Sequence, residues 1–159
     1  MDTRTLLKLP YKTNARVIQM QAKGLSHEDS LLQPESRGNC FNWVLGHILA
    51  YRNTALEMLG EERFWTDDEA QRYYYDSEPV TSADDPDIYD FEMMLGLLET
   101  TTEQISAAID AAPDSLLIET NEKGKAMQDR LMFNAWHESY HTGQAEYLRQ
   151  LAGTEDKVI

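Results

Sequence analysis

Cysteine is almost missing from this chain. Cys40 stands alone among 159 residues, which excludes an internal disulfide and any CxxC metal knuckle. Long apolar runs are missing too: nowhere do about 18 uncharged apolar residues follow one another, so no segment reads as a membrane span. The opening residues, Met1-Asp2-Thr3-Arg4-Thr5, hold no apolar signal region. Positive charge is scarce, with 14 Lys and Arg against 28 Asp and Glu and a net charge of −14. Such a field repels phosphate backbones and anionic lipid, which argues against nucleic acid and membrane surfaces as partners. These absences lead to the expectation of a soluble, cytoplasmic protein in a reducing compartment. What is present is enough apolar material for one core, at 42% hydrophobic residues, so residues 1–159 are expected to form a single domain without repeats or low-complexity tracts.

Four segments carry helical periodicity and strand alternation is nearly absent. The first runs from about Thr3 to Lys23, with Leu6, Leu9, Val17, Ile18 and Met20 as inward positions and Gly24 as the stop. Pro10 falls inside it and either kinks the helix or marks its first turn. The second, Phe41 to Leu59, follows Asn39 as N-cap and precedes Gly60; Trp43, Val44, His47, Ile48, Tyr51, Ala55 and Met58 share one stripe. The third is expected to open at Asp85-Pro86, to carry Ile88, Phe91, Leu95, Leu98, Ile105 and Ile109 inward, and to end before Pro113. The fourth, about Met127 to Leu151, presents Phe133, His137, Tyr140, His141, Gln144, Leu148 and Leu151, with Gly153 as terminator. Trp43 and Trp136 read as core, and Gly143 as a position for close helix packing.

This pattern predicts an all-α four-helix bundle. Between the second and third helices lies a long crossover, residues 61–84, acidic yet carrying Phe64, Trp65 and Tyr73-Tyr74-Tyr75. It is long enough to traverse the bundle and let two successive helices run parallel. Residues 120–124 read as a turn or short hairpin.

The histidines carry the chemistry. His137 and His141 are four residues apart on one helical face, a spacing at which two imidazoles converge on one ion. His47 lies on the apolar stripe of the second helix, where an imidazole needs a partner. Three histidines from two helices would satisfy one another around a divalent metal with an open coordination position; taken alone, His47 reads more readily as a hydrogen-bonded core residue, and the i,i+4 pair also occurs by chance. His27, in the polar Ser26-His27-Glu28-Asp29 turn, receives no role. The string His137-Glu138-Ser139-Tyr140-His141 matches the HExxH zinc-protease pattern. Only 18 residues follow His141, however, and no sheet edge is expected to hold a peptide. Glu138 lies about 100° around the helix from His137, so it is a proton acceptor, an orienting group behind a ligand imidazole, or an interhelical carboxylate. Gln144 would orient a histidine, contact substrate or bond across the bundle, while Tyr51 and Tyr140 would line the pocket mouth or serve as core aromatics with a wet hydroxyl.

The run Asn42-Trp43-Val44-Leu45-Gly46-His47-Ile48-Leu49 resembles the N-terminal motif of the DinB superfamily. The run His137-Glu138-Ser139-Tyr140-His141-Thr142-Gly143-Gln144, followed by Tyr147-Leu148-Arg149 and Leu151-Ala152-Gly153, resembles its C-terminal motif. The resemblance extends to the layout over essentially the whole chain. It implies parallel middle helices and a metal, zinc or nickel, held by His47, His137 and His141. It also implies either a thiol-dependent S-transferase using a low-molecular-weight thiol or a hydrolase. The substrate would be a small molecule, and family analogy supports a homodimer. The rival classes are a metal-binding protein without turnover and an interaction bundle whose acidic crossover takes a basic partner. Cys40, about two turns before His47, gains no ligand role from the family pattern.

Overall fold

The computed structural model describes every residue except Met1, Ala83, Glu155 and Ile159. Its described residues form α1 (Thr3–Ala22), α2 (His27–Ser30), α3 (Phe41–Met58), α4 (Asp67–Gln71), α5 (Phe91–Ala111), α6 (Asp114–Leu117) and α7 (Met127–Leu151). The long helices α1, α3, α5 and α7 make the bundle expected from the sequence. Helices α1 and α3 each pack against both α5 and α7, so each pair occupies a diagonal.

Cross-helix bonds fix the directions. Tyr11 meets Leu131, Asn14 meets Ala135, and the Gln21 carbonyl meets Arg149, so α1 and α7 are parallel. Asn42 bonds to Tyr89 and Arg52 to Leu98, which makes α3 and α5 parallel. Arg4 reaches the carbonyl of Ala112 while Gln19 reaches that of Leu95, so α1 and α5 are antiparallel. The parallel middle pair follows from the crossover. After Leu59 the chain runs back along α3, buries Trp65, Tyr73 and Val80 in the core, and delivers Phe91 beside Phe41, ring centroids 5.1 Å apart.

Helix ends follow the local chemistry, with two corrections. The Asp2 carboxylate accepts from Thr5 N to start α1, and Gly60 ends α3 at φ +81°, a left-handed conformation that a side chain would disfavour. The α3 cap is Cys40 rather than Asn39, and no side chain caps the helix because Cys40 Sγ turns inward to the Val80 carbonyl. The third long helix begins at Phe91, not at Asp85-Pro86. The Asp85 carboxylate accepts instead from Arg72 and from the amide of Asp87, which holds a turn, and Asp90 supplies the cap by accepting from Met93 N. Pro10 lies inside α1, so it does not mark the first turn. Residues 120–126 close through a single antiparallel bridge between Thr120 and Ala126.

Two inward faces also need correction. On α1 only Ile18 of the expected set is fully buried, Val17 is half-buried, and Leu6, Leu9 and Met20 are exposed. The buried face is Leu7, Tyr11, Asn14, Ala15, Ile18, Gln21 and Ala22, because the polar Tyr11 and Asn14 reach α7 carbonyls. On α7, His141 and Leu148 are buried while Phe133, Trp136, Tyr140 and Gln144 are exposed. This helix packs on α1 and α3 at once, which centres its buried face on Leu131, Glu138, Ala145 and Arg149.

The core is divided. One apolar cluster includes Ile18, Leu45, Ile48, Tyr73 and Leu98, and another includes Leu7, Leu56, Ile105 and Leu131. Between them Arg52, 1% exposed, donates to Glu138 of α7 at 2.6 and 2.9 Å, to Leu98 O, Thr101 and Thr102 of α5, and to Tyr11 O of α1. One guanidinium therefore ties all four long helices together, with its donors matched by acceptors, as a buried charge requires.

Candidate metal centre

The site forms where α3 and α7 face each other near the polar layer. His47, in the middle of α3, and His137 and His141, one turn apart on α7, each offer a ring nitrogen, and these atoms lie within 4.8 Å of one another. His137 and His141 bring their Nε2 atoms to 3.2 Å. Two nitrogens on a tetrahedral zinc at about 2.0–2.1 Å sit roughly 3.3 Å apart, so the His137–His141 pair already has the spacing of two ligands on one ion, with a His47 nitrogen within 4.8 Å of both. Among the described residues no carboxylate joins the group.

Two of the rings are anchored from behind. His47 Nδ1 lies 2.6 Å from the carbonyl oxygen of Tyr73. That oxygen only accepts, so Nδ1 carries the proton and Nε2 keeps its lone pair. His141 Nδ1 lies 2.7 Å from Gln144 Oε1 and is fixed in the same tautomer. This is the arrangement by which metal-binding histidines are oriented. Trp43 stacks on His47 with centroids 4.5 Å apart and planes 15° from parallel, its Nε1 donating to Ser77 of the crossover. Burial of the imidazoles, the dominant influence on all three, lowers His47 to about 4 and moves His137 and His141 below the usual histidine range. Burial thus favours the neutral form that a ligand must have.

The remaining candidates separate. Gln144 is placed on a histidine. The Tyr51 ring lies 4.9 Å from His47 and 4.6 Å from His137, at the half-buried edge of the site. Tyr140 is exposed and 5.1 Å from His141. Of the readings open to Glu138, the structure places it as an interhelical carboxylate, with both oxygens held by Arg52. Burial raises its carboxyl and the guanidinium opposes that rise. Gly143 is exposed and packs against nothing, since a Cβ there would meet no atom within 4 Å. Trp136 is on the surface, whereas Trp43 is buried as expected. His27 is not a bare loop residue: its Nδ1 accepts from the amide of Phe91, holding α2 to the start of α5.

Sequence reasoning missed Tyr73 and Gly46. The Tyr73 ring, fully buried, fills the space where a Cβ at position 46 would stand, and its main chain holds His47. A glycine inside an apolar helix was the available signal, because it marks a close approach.

A helical bundle with convergent imidazoles between its second and fourth long helices is a four-helix bundle with a candidate metal centre. The chain belongs to the DinB superfamily, whose model matches residues 11–145. It is similar to a solved conserved protein from Enterococcus faecalis, with a TM-score of 0.75 over 97% of this chain and 99% of that one, at 14% identity. That likeness concerns the fold alone. No curated protein matches the sequence. No helix among the described residues is long and apolar enough to cross a membrane.

Proposed function

We propose that this protein is a metal-dependent enzyme acting on a small molecule, of thiol S-transferase or hydrolase type, with His47, His137 and His141 as the ligands of one divalent ion. The observation that carries the reading is the pairing of convergent donors with fixed tautomers: Tyr73 O and Gln144 Oε1 each accept from the Nδ1 of an imidazole and so leave its Nε2 free to bind an ion. A structural core histidine needs no such convergence.

A divalent cation supplies Lewis acidity to an exogenous oxygen or sulfur donor, making hydrolysis or thiol transfer accessible near neutral pH. The chain's own residues do the rest. Trp43 and the Tyr73 segment exclude water from His47, which is 2% exposed, while half-buried His137 leaves the approach along Tyr51 open. Arg52 and Glu138, joining α3 to α7, hold the register that brings His47 opposite the other two. Zinc and nickel both suit imidazole donors, and a low-molecular-weight thiol is the natural co-substrate for the transferase form.

Elemental analysis of untagged protein is expected to find one metal per chain, lost when the three histidines are replaced by alanine. Gln144→Ala is expected to weaken metal affinity by about 10–100-fold. Wild type, but not the alanine triple variant, is expected to turn over members of a thiol–electrophile or ester panel. Metal uptake with equal rates in both proteins would leave a metal-binding bundle without turnover and end the enzyme reading.

A further inference from the structure

We propose that the tri-histidine site receives a small molecule with an anionic head and an apolar, aromatic-sized body, the head at the imidazoles and the body on the aromatic rings beside them. The proposal rests on the metal reading above and narrows its substrate class.

The charge argument comes first. Three neutral imidazoles contribute no charge, and the carboxylate adjoining them in sequence, Glu138, is already matched by Arg52. A divalent cation held there keeps its full positive charge uncompensated by any side chain of the group. His47 and His141 are 2% and 8% exposed, so the site is poorly hydrated and a charge in it attracts an opposite charge far more strongly than in water. Buried charges are paired, and here the partner has to come from the ligand. A cationic head would meet repulsion at the same point.

The surroundings define the body. Tyr51 lies 4.6 Å from the His137 ring, and Tyr74 of the crossover lies 6.1 Å from Tyr51. On the α7 side Phe133 runs parallel to His137 at 6.3 Å, Trp136 lies 5.6 Å from Phe133, and Tyr140 lies 5.1 Å from His141. Phe133, Trp136 and Tyr140 are 55–59% exposed, so the fold leaves uncovered rings on the helix that supplies two of the imidazoles. Single exposed aromatics need no explanation, but a run of them bordering one site is a binding surface.

The test uses the full chain loaded with zinc, its content checked by elemental analysis, and reads binding by calorimetry. Three probes separate head from body: 3-phenylpropionate, acetate, and phenethylamine. The acid with the ring is expected to bind at least about tenfold tighter than acetate, the size expected from covering a phenyl group with aromatic neighbours. Phenethylamine is expected not to bind, and removal of zinc is expected to abolish binding of both acids. The double variant Trp136→Ala/Tyr140→Ala alters two exposed residues and is expected to keep its zinc and its acetate affinity while losing most of the advantage of the ring. Equal affinity for the two acids, binding of the amine as tight as the acid, binding that survives zinc removal, or no effect of the double variant overturns the proposal. A chain that takes up neither zinc nor nickel overturns the metal reading and this proposal with it; a metal-loaded chain that fails to distinguish the probes overturns this proposal alone.

Discussion

Replacing Gly46 by alanine adds one methyl group where the fold has no room for it. A Cβ at this position would stand 2.5 Å from Tyr73 Cγ and nearer still to Cδ1 and Cε1, against about 3.5–4.0 Å for an ordinary carbon contact. The Tyr73 ring is fully buried against Trp65 and Tyr89, and its hydroxyl accepts from the amide of Tyr89, so it has no free volume to enter. Overpacking of this kind costs about 1–3 kcal/mol. Alanine regains roughly 0.5–1 kcal/mol of helix preference over glycine, leaving a net loss of about 1–2 kcal/mol. In urea, with a slope of about 1–3 kcal/mol per molar, the midpoint should fall by roughly 0.3–2 M. The same displacement pulls the Tyr73 carbonyl off His47 Nδ1, so metal affinity should fall by about tenfold or more, as it does when an orienting partner is lost. Gly143→Ala is the matched control. It lies in a helix with nothing within 4 Å of the new methyl, and stability should rise by roughly 0.5–1 kcal/mol with metal affinity unchanged. Urea denaturation and metal titration of both variants decide the matter. A Gly46→Ala protein as stable as wild type with unaltered metal affinity would show that the Tyr73 segment does not support the site.

Two further expectations concern the ionisable core. Arg52→Met strands the Glu138 carboxylate, which is 3% exposed, and should cost about 3–5 kcal/mol in urea denaturation. The double variant Arg52→Met/Glu138→Leu should recover most of that loss, and a single variant costing under about 1 kcal/mol would refute the assignment of a buried ion pair. Burial holds His47 at about 4 when folded against about 6.5 unfolded, so between those values the unfolded chain binds more protons. Stability of the metal-free protein therefore rises with pH across this window, and about 3 kcal/mol is lost on descending from pH 6.5 to 4. The measurement is the difference between wild type and His47→Gln across that range. A difference that does not change with pH would mean that His47 is not buried in a neutral form.

Much of the bundle is legible in the sequence because its strongest signals are local. The periodicity of Phe91, Leu98, Ile105 and Ile109 and the spacing of His137 and His141 each lie within one helix, where 3.6 residues per turn decides which side chains share a face. The orientation of α1 and α7 was less legible, because helices with two neighbours bury a face centred between them. Polar Asn14 and charged Glu138 go inside only because carbonyl and guanidinium partners wait there. Arg52, which follows the apolar run Ile48-Leu49-Ala50 in α3, was the clue to such a partner, but its identity 86 residues away is a tertiary fact. The start of α5 was misplaced for a related reason: Asp85-Pro86 has the composition of a helix start, and the Arg72 side chain, 13 residues earlier, claims the Asp85 carboxylate. At the site the metal donors are side chains and could be named from the sequence. The group that turns His47 is a main-chain oxygen, which every residue type possesses and no motif reveals.

That oxygen has a consequence for how the chain tolerates change. A carbonyl of the backbone survives substitution of the residue that bears it, so the grip on His47 is indifferent to spelling and sensitive to length. Between Leu59, where α3 ends, and Tyr73, the number of peptide units determines whether a carbonyl arrives beside the imidazole. Insertions or deletions in that stretch would desynchronise the return of the chain with the helix it runs along, whereas exchanges at its exposed positions, such as Glu61, Glu62 and Asp68, would pass unnoticed by the histidine.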